Sequence, residues 1–430
     1  MPFESKGPAT RRVAVIGGGI SGMAAAHLLS SDHQVVLFEA EKRLGGHART
    51  VLAGKRGDQP VDTGFIVFNH VNYPNLVGLF DKLGVPTAKS DMSFGASING
   101  GAFEYGFRDW KGLVAQKRNL MDPRYWGMLR DITRFNAEAE AIAGDSGMTI
   151  REFLERLGAG DWFRDYYLLP LSGAIWSTPT QGILEFPAQA MIAFFKNHAL
   201  LTVTGQHQWY TVQGGSVEYV RRLQIALEGA GVDLRLGAAV AAVRREAGQV
   251  MIRAKGSEWE GFDEVIFATH SDDTLNLLSD PTVTETAALS AIKYQPNDVV
   301  LHSDASVMPK RRAAWASWVY VEGAGPRPDR IDLSYWMNSL QPIPMDDPLF
   351  VTLNANRPIR EELIHDQITF RHPVYDLGAL AAQARLRAVN GADQTWFCGA
   401  WMRNGFHEDG FASAVDVVEA MRARQLRVAA

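Results

Sequence analysis

Gly17, Gly19 and Gly22 stand in G-x-G-x-x-G spacing directly after the apolar run Val13-Ala14-Val15-Ile16. Ile20 and Ser21 fall between the glycines, and a helix-forming run continues to Leu29. The next apolar run, Val35 to Phe38, ends in Glu39-Ala40. Strand, glycine turn, helix, strand and acid, in that order, are what a bound dinucleotide requires. Gly17 makes the turn, Gly19 lets a diphosphate approach the backbone, and Gly22 lets the helix pack close to the strand. The helix N-terminus carries roughly half a positive charge and favours the diphosphate. Glu39 can accept hydrogen bonds from ribose hydroxyls. Nicotinamide and flavin dinucleotides satisfy this unit equally well.

The following segments narrow the choice. Arg43-Leu44-Gly45-Gly46-His47-Ala48-Arg49-Thr50 comes straight after the second strand, and Val61-Asp62-Thr63-Gly64-Phe65-Ile66 adds a third tight segment. A second glycine pair lets another stretch of backbone lie against a long cofactor. Together these residues resemble the extended FAD-binding motif of the flavin amine oxidase and phytoene desaturase superfamily. The resemblance implies non-covalent FAD, with contacts from Gly17, Gly19, Ile20, Ser21, Gly22, Glu39, Ala40, Gly45, Gly46, His47, Thr63, Gly64, Phe65 and Ile66. It departs at His47, where the superfamily usually carries arginine. An imidazole there either titrates or donates one hydrogen bond to a phosphate.

Gln213-Gly214-Gly215-Ser216 precedes a helix with Val217, Val220, Leu223 and Leu227 on one face. Gly231 to Leu236 and Ala238 to Val243 read as strands. The resemblance implies that Val240 holds the adenine side of FAD through its backbone. Phe262 to Phe267 reads as a strand running into a cofactor-side turn at Ala268-Thr269. Thr395 to Trp401 then leads into Gly405-Phe406-His407-Glu408-Asp409-Gly410-Phe411, with a helix beyond. The superfamily uses this region for the ribityl chain and for the edge of the flavin ring where negative charge grows on reduction. That implies site roles for Gly399, Asp409, Gly410 and Phe411. Ala400 stands where an acid is usual, so ribityl recognition differs or falls to Asp409. Cys398 reads as a packed small apolar residue rather than a flavin attachment point.

These segments need an α/β fold to position them. The expected architecture is a Rossmann-type FAD-binding domain, discontinuous over 1–86, 206–275 and 391–430. An amine-oxidase-like α+β substrate domain is inserted over 87–205 and 276–390. The 430 residues suit two or three domains at ~150 each, and 46% hydrophobic content supports a sizeable core. Acids outnumber bases, 48 to 43, which speaks against nucleic acid as a partner. One cysteine excludes an intrachain disulfide and a thiolate cluster, and no metal site is expected. The first strand begins too near the N-terminus to leave room for a secretory signal, and no apolar run reaches the ~18 residues of a spanning helix. A cytoplasmic location is expected, with peripheral contact at the inner face of the cell membrane left open. Trp110, Trp126, Trp162, Trp176, Trp209, Trp315, Trp318 and Trp336 gather outside the glycine motifs. They read either as packing or as the lining of an apolar substrate cavity.

Further stretches refine the resemblance. They include Asp62 to Asn69, Ala174-Ile175-Trp176-Ser177, Asn197 to Leu201, Val300 to Asp304, Tyr335 to Asn338, Phe370 to Pro373 and Gly405 to Gly410. The set resembles a bacterial group of FAD proteins related to the N-terminal half of plant cyclopropane fatty acid synthases, often accompanied by lipid methyltransferases. One branch, in furan fatty acid synthesis, implies desaturation of a methyl-branched unsaturated acyl chain by hydride transfer to flavin N5. That chemistry also needs a base for the neighbouring proton. His407 is the first choice, with His198, His302 and Glu408 as further candidates and Tyr335 orienting the substrate. Two other functions stay open: an FAD amine oxidase or carotenoid-type desaturase, and a non-catalytic flavoprotein partner of a lipid methyltransferase. No diagnostic lysine is evident, since nothing places Lys293 or Lys310 at the flavin. Trp110 to Arg130 alternates basic, aromatic and apolar residues, as an interfacial helix or a solvated amphipathic face would.

Overall fold

The computed structural model describes residues 11–144, 147–202, 205–246, 248–325 and 330–429. At its centre the strand Arg12–Ile16 pairs in parallel with Gln34–Glu39 on one side and Glu264–Phe267 on the other. Asp233–Leu236 and Thr395–Phe397 complete the five-stranded parallel sheet at its two edges. These strands are continuously apolar rather than alternating because both faces are covered. Helices Ile20–Leu29, Val217–Gly229 and His407–Ala429 bury their apolar sides on one face. The opposite face takes the antiparallel meander Val240–Glu246, Gln249–Ala254 and Glu260–Phe262, together with helix Leu377–Val389. The sequence boundary at 390 puts that helix in the substrate domain. Its buried Ala379, Ala382 and Leu386 instead share a core with Ala14, Val36 and Phe397 of the parallel sheet.

The second unit is built on a seven-stranded sheet. Its order is Ile364–Val374, Lys293–His302, Phe350–Leu353, Asp332–Trp336, Trp318–Val321, Phe94–Ile98 and Phe103–Gly106. All pairings are antiparallel except the one between Trp318–Val321 and Phe94–Ile98. Helices Pro123–Ile142, Ile150–Leu157, Leu169–Trp176 and Ala188–Asn197 share its largest core. Local chemistry fixes their ends. Thr149 and Glu152 cap each other reciprocally at the start of Ile150–Leu157, and left-handed Gly158 ends that helix. A small third sheet, Val67–Asn69, Trp209–Val212 and Thr87–Ser90, joins the two units.

Residues 110–130 do not form one interfacial helix. They make Trp110–Leu113, a tight turn at Lys117–Met121, and the start of Pro123–Ile142. Asp122 caps the last of these and Pro123 fits its first turn, so the chain must break there. Among the described residues, no helix is long and apolar enough to cross a membrane.

Asp62 ties the units together. Its fully buried carboxylate accepts from Thr50 Oγ1 (2.6 Å), Ser216 Oγ (2.7 Å), Ser216 N (2.8 Å) and Gln341 Nε2 (2.9 Å). Burial pushes this acid up to about 6 against the pull of those donors, so it is ionised at neutral pH. Asp62→Ala should orphan them and cost ~3 kcal/mol or more in urea unfolding. A loss below ~1 kcal/mol would show the donors finding other partners.

Candidate active site

Helix Ile20–Leu29 begins immediately after the Gly17-Gly18-Gly19 turn. Its N-cap, Gly19, supplies no side-chain cap, and its first turn holds no acid. The free N–H groups and the positive end of the helix are therefore left for an external anion. A Cβ built on Gly22 would fall 1.8 Å from the Gly17 carbonyl oxygen, so helix and strand can meet only at glycine. A Cβ on Gly19 would meet nothing within 4 Å. Open space beside an uncapped helix start fits a diphosphate.

Glu39 lies beside this turn, with Ala40 next along the chain. Its Oε2 accepts from Gly18 N at 2.6 Å and its Oε1 from Glu41 N at 2.8 Å. Each carboxylate oxygen keeps a lone pair for a ribose hydroxyl. Ala238 N donates to Glu39 O, which puts buried Val240 at the same end of the sheet. Ala268 N donates to Ile16 O across the central strand pair.

Gly45 N donates to Gly18 O at 2.8 Å, so the second glycine pair lies against the first turn. Arg43 braces this loop through the carbonyls of Gly46 and Ala48. Thr63 N and Oγ1 both donate to Arg49 O, and Phe65 N donates to His47 O. A Cβ on Gly64 would lie 1.9 Å from His47 O, so these two segments are in close backbone contact, and buried Ile66 follows them. The His47 ring stacks on Phe370 at 4.6 Å, with His270 and His372 within 6 Å. Burial pushes His47 down to about 4, so it is neutral at pH 7.

The C-terminal segment closes the site. The sequence reads 405–411 as a loop before a helix, but helix His407–Ala429 already contains Gly410. A Cβ there would lie 2.8 Å from Ile20 Cγ2 and Ser21 Oγ, so the glycine serves close helix packing. Two helix starts consequently converge on one place, with buried Phe411 one residue further on. Gly399 N donates to Ser413 Oγ, which in turn donates to Gly410 O. The His407 ring stacks on Phe65 at 3.9 Å, and its Nε2 lies 2.6 Å from the Tyr219 hydroxyl. Burial pushes His407 down to about 3.

A cleft of about 230 Å³ opens beside this segment, lined by His198, Phe194, Phe406, Asn404, Glu408 and Asp409, among others. Two of its lining rings stack, Phe406 on Phe194 (4.7 Å), and behind them packed core rings continue, Phe194 on Trp176 (4.9 Å) and Trp176 on Phe186 (5.0 Å). His198 stacks on Phe194 at 3.8 Å, and its Nδ1 donates to Phe194 O at 2.9 Å. Its Nε2 is thus the acceptor nitrogen. Burial pushes His198 down to about 4.

Other candidates are brought elsewhere. Tyr335 lies in the seven-stranded sheet, packed edge-on to Trp318 at 5.1 Å with its hydroxyl hydrogen-bonded to Ser177. Both ring nitrogens of His302 are used, one accepting from Asp304 N and the other on Thr352 Oγ1. Glu408 caps helix Pro74–Leu83, accepting from Asn75 N and Leu76 N. The tryptophans divide likewise. Trp176 and Trp209 border the cleft region, whereas Trp315 and Trp336 form a separate core with Phe350.

Asp409 accepts from Phe406 N at 2.9 Å, and burial pushes it up to about 6. A carboxyl held above its unfolded value stabilises the fold while protonated, and this contribution is lost as pH rises from about 4 to about 6. Asp409→Asn keeps an acceptor without the titration. Between pH 4 and pH 6.5, the stability of wild type relative to this variant should fall by ~2–3 kcal/mol in urea unfolding. A constant difference would show that Asp409 is not desolvated.

Sequence reasoning missed Tyr219, Arg43 and the rings of Phe194 and Phe406. Tyr219 lies on the buried face of its helix with Val220, Leu223 and Leu227, whereas Val217, which the sequence puts on that face, is exposed. Arg43 pairs with Glu41 and reaches the carbonyls of Gly46 and Ala48, contacts that no spacing announces.

The comparisons agree with this geometry. Residues 20–354 match the family model described as flavin containing amine oxidoreductase. (S)-6-hydroxynicotine oxidase of Paenarthrobacter nicotinovorans is 25% identical over 160 residues, which is 36% of this chain and 37% of that protein. The chain thus spans about a third of the length of the curated relatives it matches over this stretch. A fatty acid isomerase from P. acnes that produces CLA superposes with TM-score 0.66 at 16% identity, covering 95% of this chain and 98% of that one. Putrescine oxidase bound to putrescine gives TM-score 0.68 at 15% identity, covering 96% and 99%. At such identities the likeness is one of fold. The matched family, the uncapped helix start and the open face of Gly19 together place FAD as the cofactor. The chain belongs to the flavin containing amine oxidoreductase family.

Proposed function

We propose that this protein desaturates a methyl-branched, unsaturated acyl chain of a membrane phospholipid. The observation that supports the reading is the lining of the cleft, where Asn404, Glu408 and Asp409 stand beside the stacked rings of Phe406 and Phe194. A lining that is part polar and part aromatic suits an amphiphile: the headgroup meets the polar residues and each buried methylene contributes ~0.8 kcal/mol. Lys310 donates to Gly100 O, and among the described residues no lysine lines the cleft.

Bound FAD supplies a hydride acceptor. An allylic carbon beside the existing double bond is the better hydride donor, and as hydride leaves, the neighbouring C–H becomes strongly acidic. A weak base then suffices. His198 suits that role, because donation of Nδ1–H to Phe194 O leaves Nε2 to receive the proton. His407 has its Nε2 committed to Tyr219, so it acts by holding Phe65 and Tyr219 in place. Tyr335, hydrogen-bonded to Ser177 next along the chain from Trp176, serves as a positioning residue. The test is anaerobic mixing with a methyl-branched, monounsaturated phospholipid, following the oxidised flavin band and the mass of the lipid. A lipid methyltransferase would furnish the methyl branch, which makes such an enzyme the natural partner in the reaction sequence.

A further inference from the structure

The surface made by residues 110–130 plays no part in the cleft, yet it carries several large exposed apolar side chains. Trp110 is 69% exposed, Met121 86% and Trp126 54%, with Leu120 beside them. Single exposed apolar residues are ordinary, but a group of large ones marks a contact. The same stretch carries Lys111, Lys117, Arg118, Arg124 and Arg130 against one acid, Asp122, in a chain whose net charge is -5. Asp122 is already matched by Arg124 at 2.7 Å. Lys111, Lys117 and Arg118 are exposed and make no ion pair among the described residues.

The pieces are fixed in one surface. Trp126 Nε1 donates to Leu120 O, and the Tyr125 hydroxyl donates to Leu113 O. Beneath them Tyr125 packs on Phe103 (5.8 Å), and Phe103 on Trp162 (5.0 Å), with the Arg124 guanidinium over the Trp162 ring. A surface held this firmly loses little freedom on docking.

Charge decides the occupant. A second copy of the chain would bring the same basic face against itself, and a self-matched interface of one sign repels. Indole rings and a methionine among lysines and arginines instead match the boundary of an anionic bilayer. There the rings sit at headgroup depth and the cations meet lipid phosphates. We propose that this face seats the protein on anionic membrane, with Trp110, Met121 and Trp126 entering the headgroup layer and Lys111, Lys117 and Arg118 pairing with lipid phosphates. The inference deepens the acyl-lipid reading, on which it rests only for why this protein would meet a membrane.

The test is co-sedimentation of the FAD-loaded protein with vesicles of phosphatidylcholine and phosphatidylglycerol, and with phosphatidylcholine alone. Wild type should pellet with the anionic vesicles at low salt and less so at high salt, because exposed charges are screened. Lys111→Glu, Lys117→Glu and Arg118→Glu together should weaken partitioning on the order of 100-fold or more. Trp110→Ser with Met121→Ser should weaken it too, with the flavin spectrum unchanged. Wild type left in the supernatant at low salt would overturn the proposal. So would a charge-reversed variant that pellets normally, or a concentration-dependent dimer that these substitutions dissolve. Flavin reduction by detergent-dispersed lipid separates the two ideas. Reduction without vesicle binding removes the docking face alone, and vesicle binding without reduction by any lipid supports docking and removes the acyl-lipid reading.

Discussion

Gly19→Asp should give a folded protein that emerges colourless. The position has room for a side chain, since a Cβ there meets nothing within 4 Å. The fold should therefore survive, with unfolding in urea close to that of wild type. What the substitution adds is a carboxylate at an uncapped helix start, in the space a diphosphate would take. Like charges at that separation cost several kcal/mol in a partly dry site, so FAD affinity should fall by ~1000-fold or more. Gly19→Ala serves as the control and should keep most of its FAD. Measured FAD released per chain on denaturation checks both variants. Full occupancy in Gly19→Asp would move the diphosphate elsewhere. By contrast, Gly22→Ala should fail to fold, because its Cβ would collide with the Gly17 carbonyl at 1.8 Å.

His198→Ala should retain FAD and slow lipid-driven flavin reduction by ~100-fold or more, as loss of a general base does. His407→Ala should cost less in the same assay, because Tyr219 already engages its Nε2. Burial places His198 at about 4 and His407 at about 3, so neither imidazole should produce a rate limb between pH 5 and pH 8. A wild-type rate that falls below pH ~4.5, and a His198→Ala rate that does not, would assign the limb. The assignment fails if His407→Ala is the slower variant, and the sequence preference for His407 would then return.

The legible parts of this molecule were those with local causes. Gly17, Gly19 and Gly22, the strand Val13 to Ile16 and the acid Glu39 are dictated by close backbone approach, and spacing reports that directly. The C-terminal region was half legible. Gly410 reads as a loop glycine because its reason, contact with Ile20 and Ser21 on a helix nearly 400 positions earlier, is visible only in three dimensions. The base is harder still. His198, His302, His407 and Glu408 look alike in sequence. They are told apart by Phe194 O, Thr352, Tyr219 and Asn75, partners from distant or unpatterned positions. Leu377–Val389 falls on the other side of the sequence boundary at 390 for a similar reason: a mostly alanine helix face names no partner until the parallel sheet is beside it.

Anaerobic titration of the purified, FAD-loaded protein with a detergent-dispersed, methyl-branched, monounsaturated phospholipid tests the central claim most directly. The predicted result is bleaching of the oxidised flavin band with one equivalent of lipid, and recovery of that lipid lighter by two hydrogens. Primary and secondary amines should leave the band untouched. Rapid bleaching by simple amines, with none by the lipid, would contradict the account.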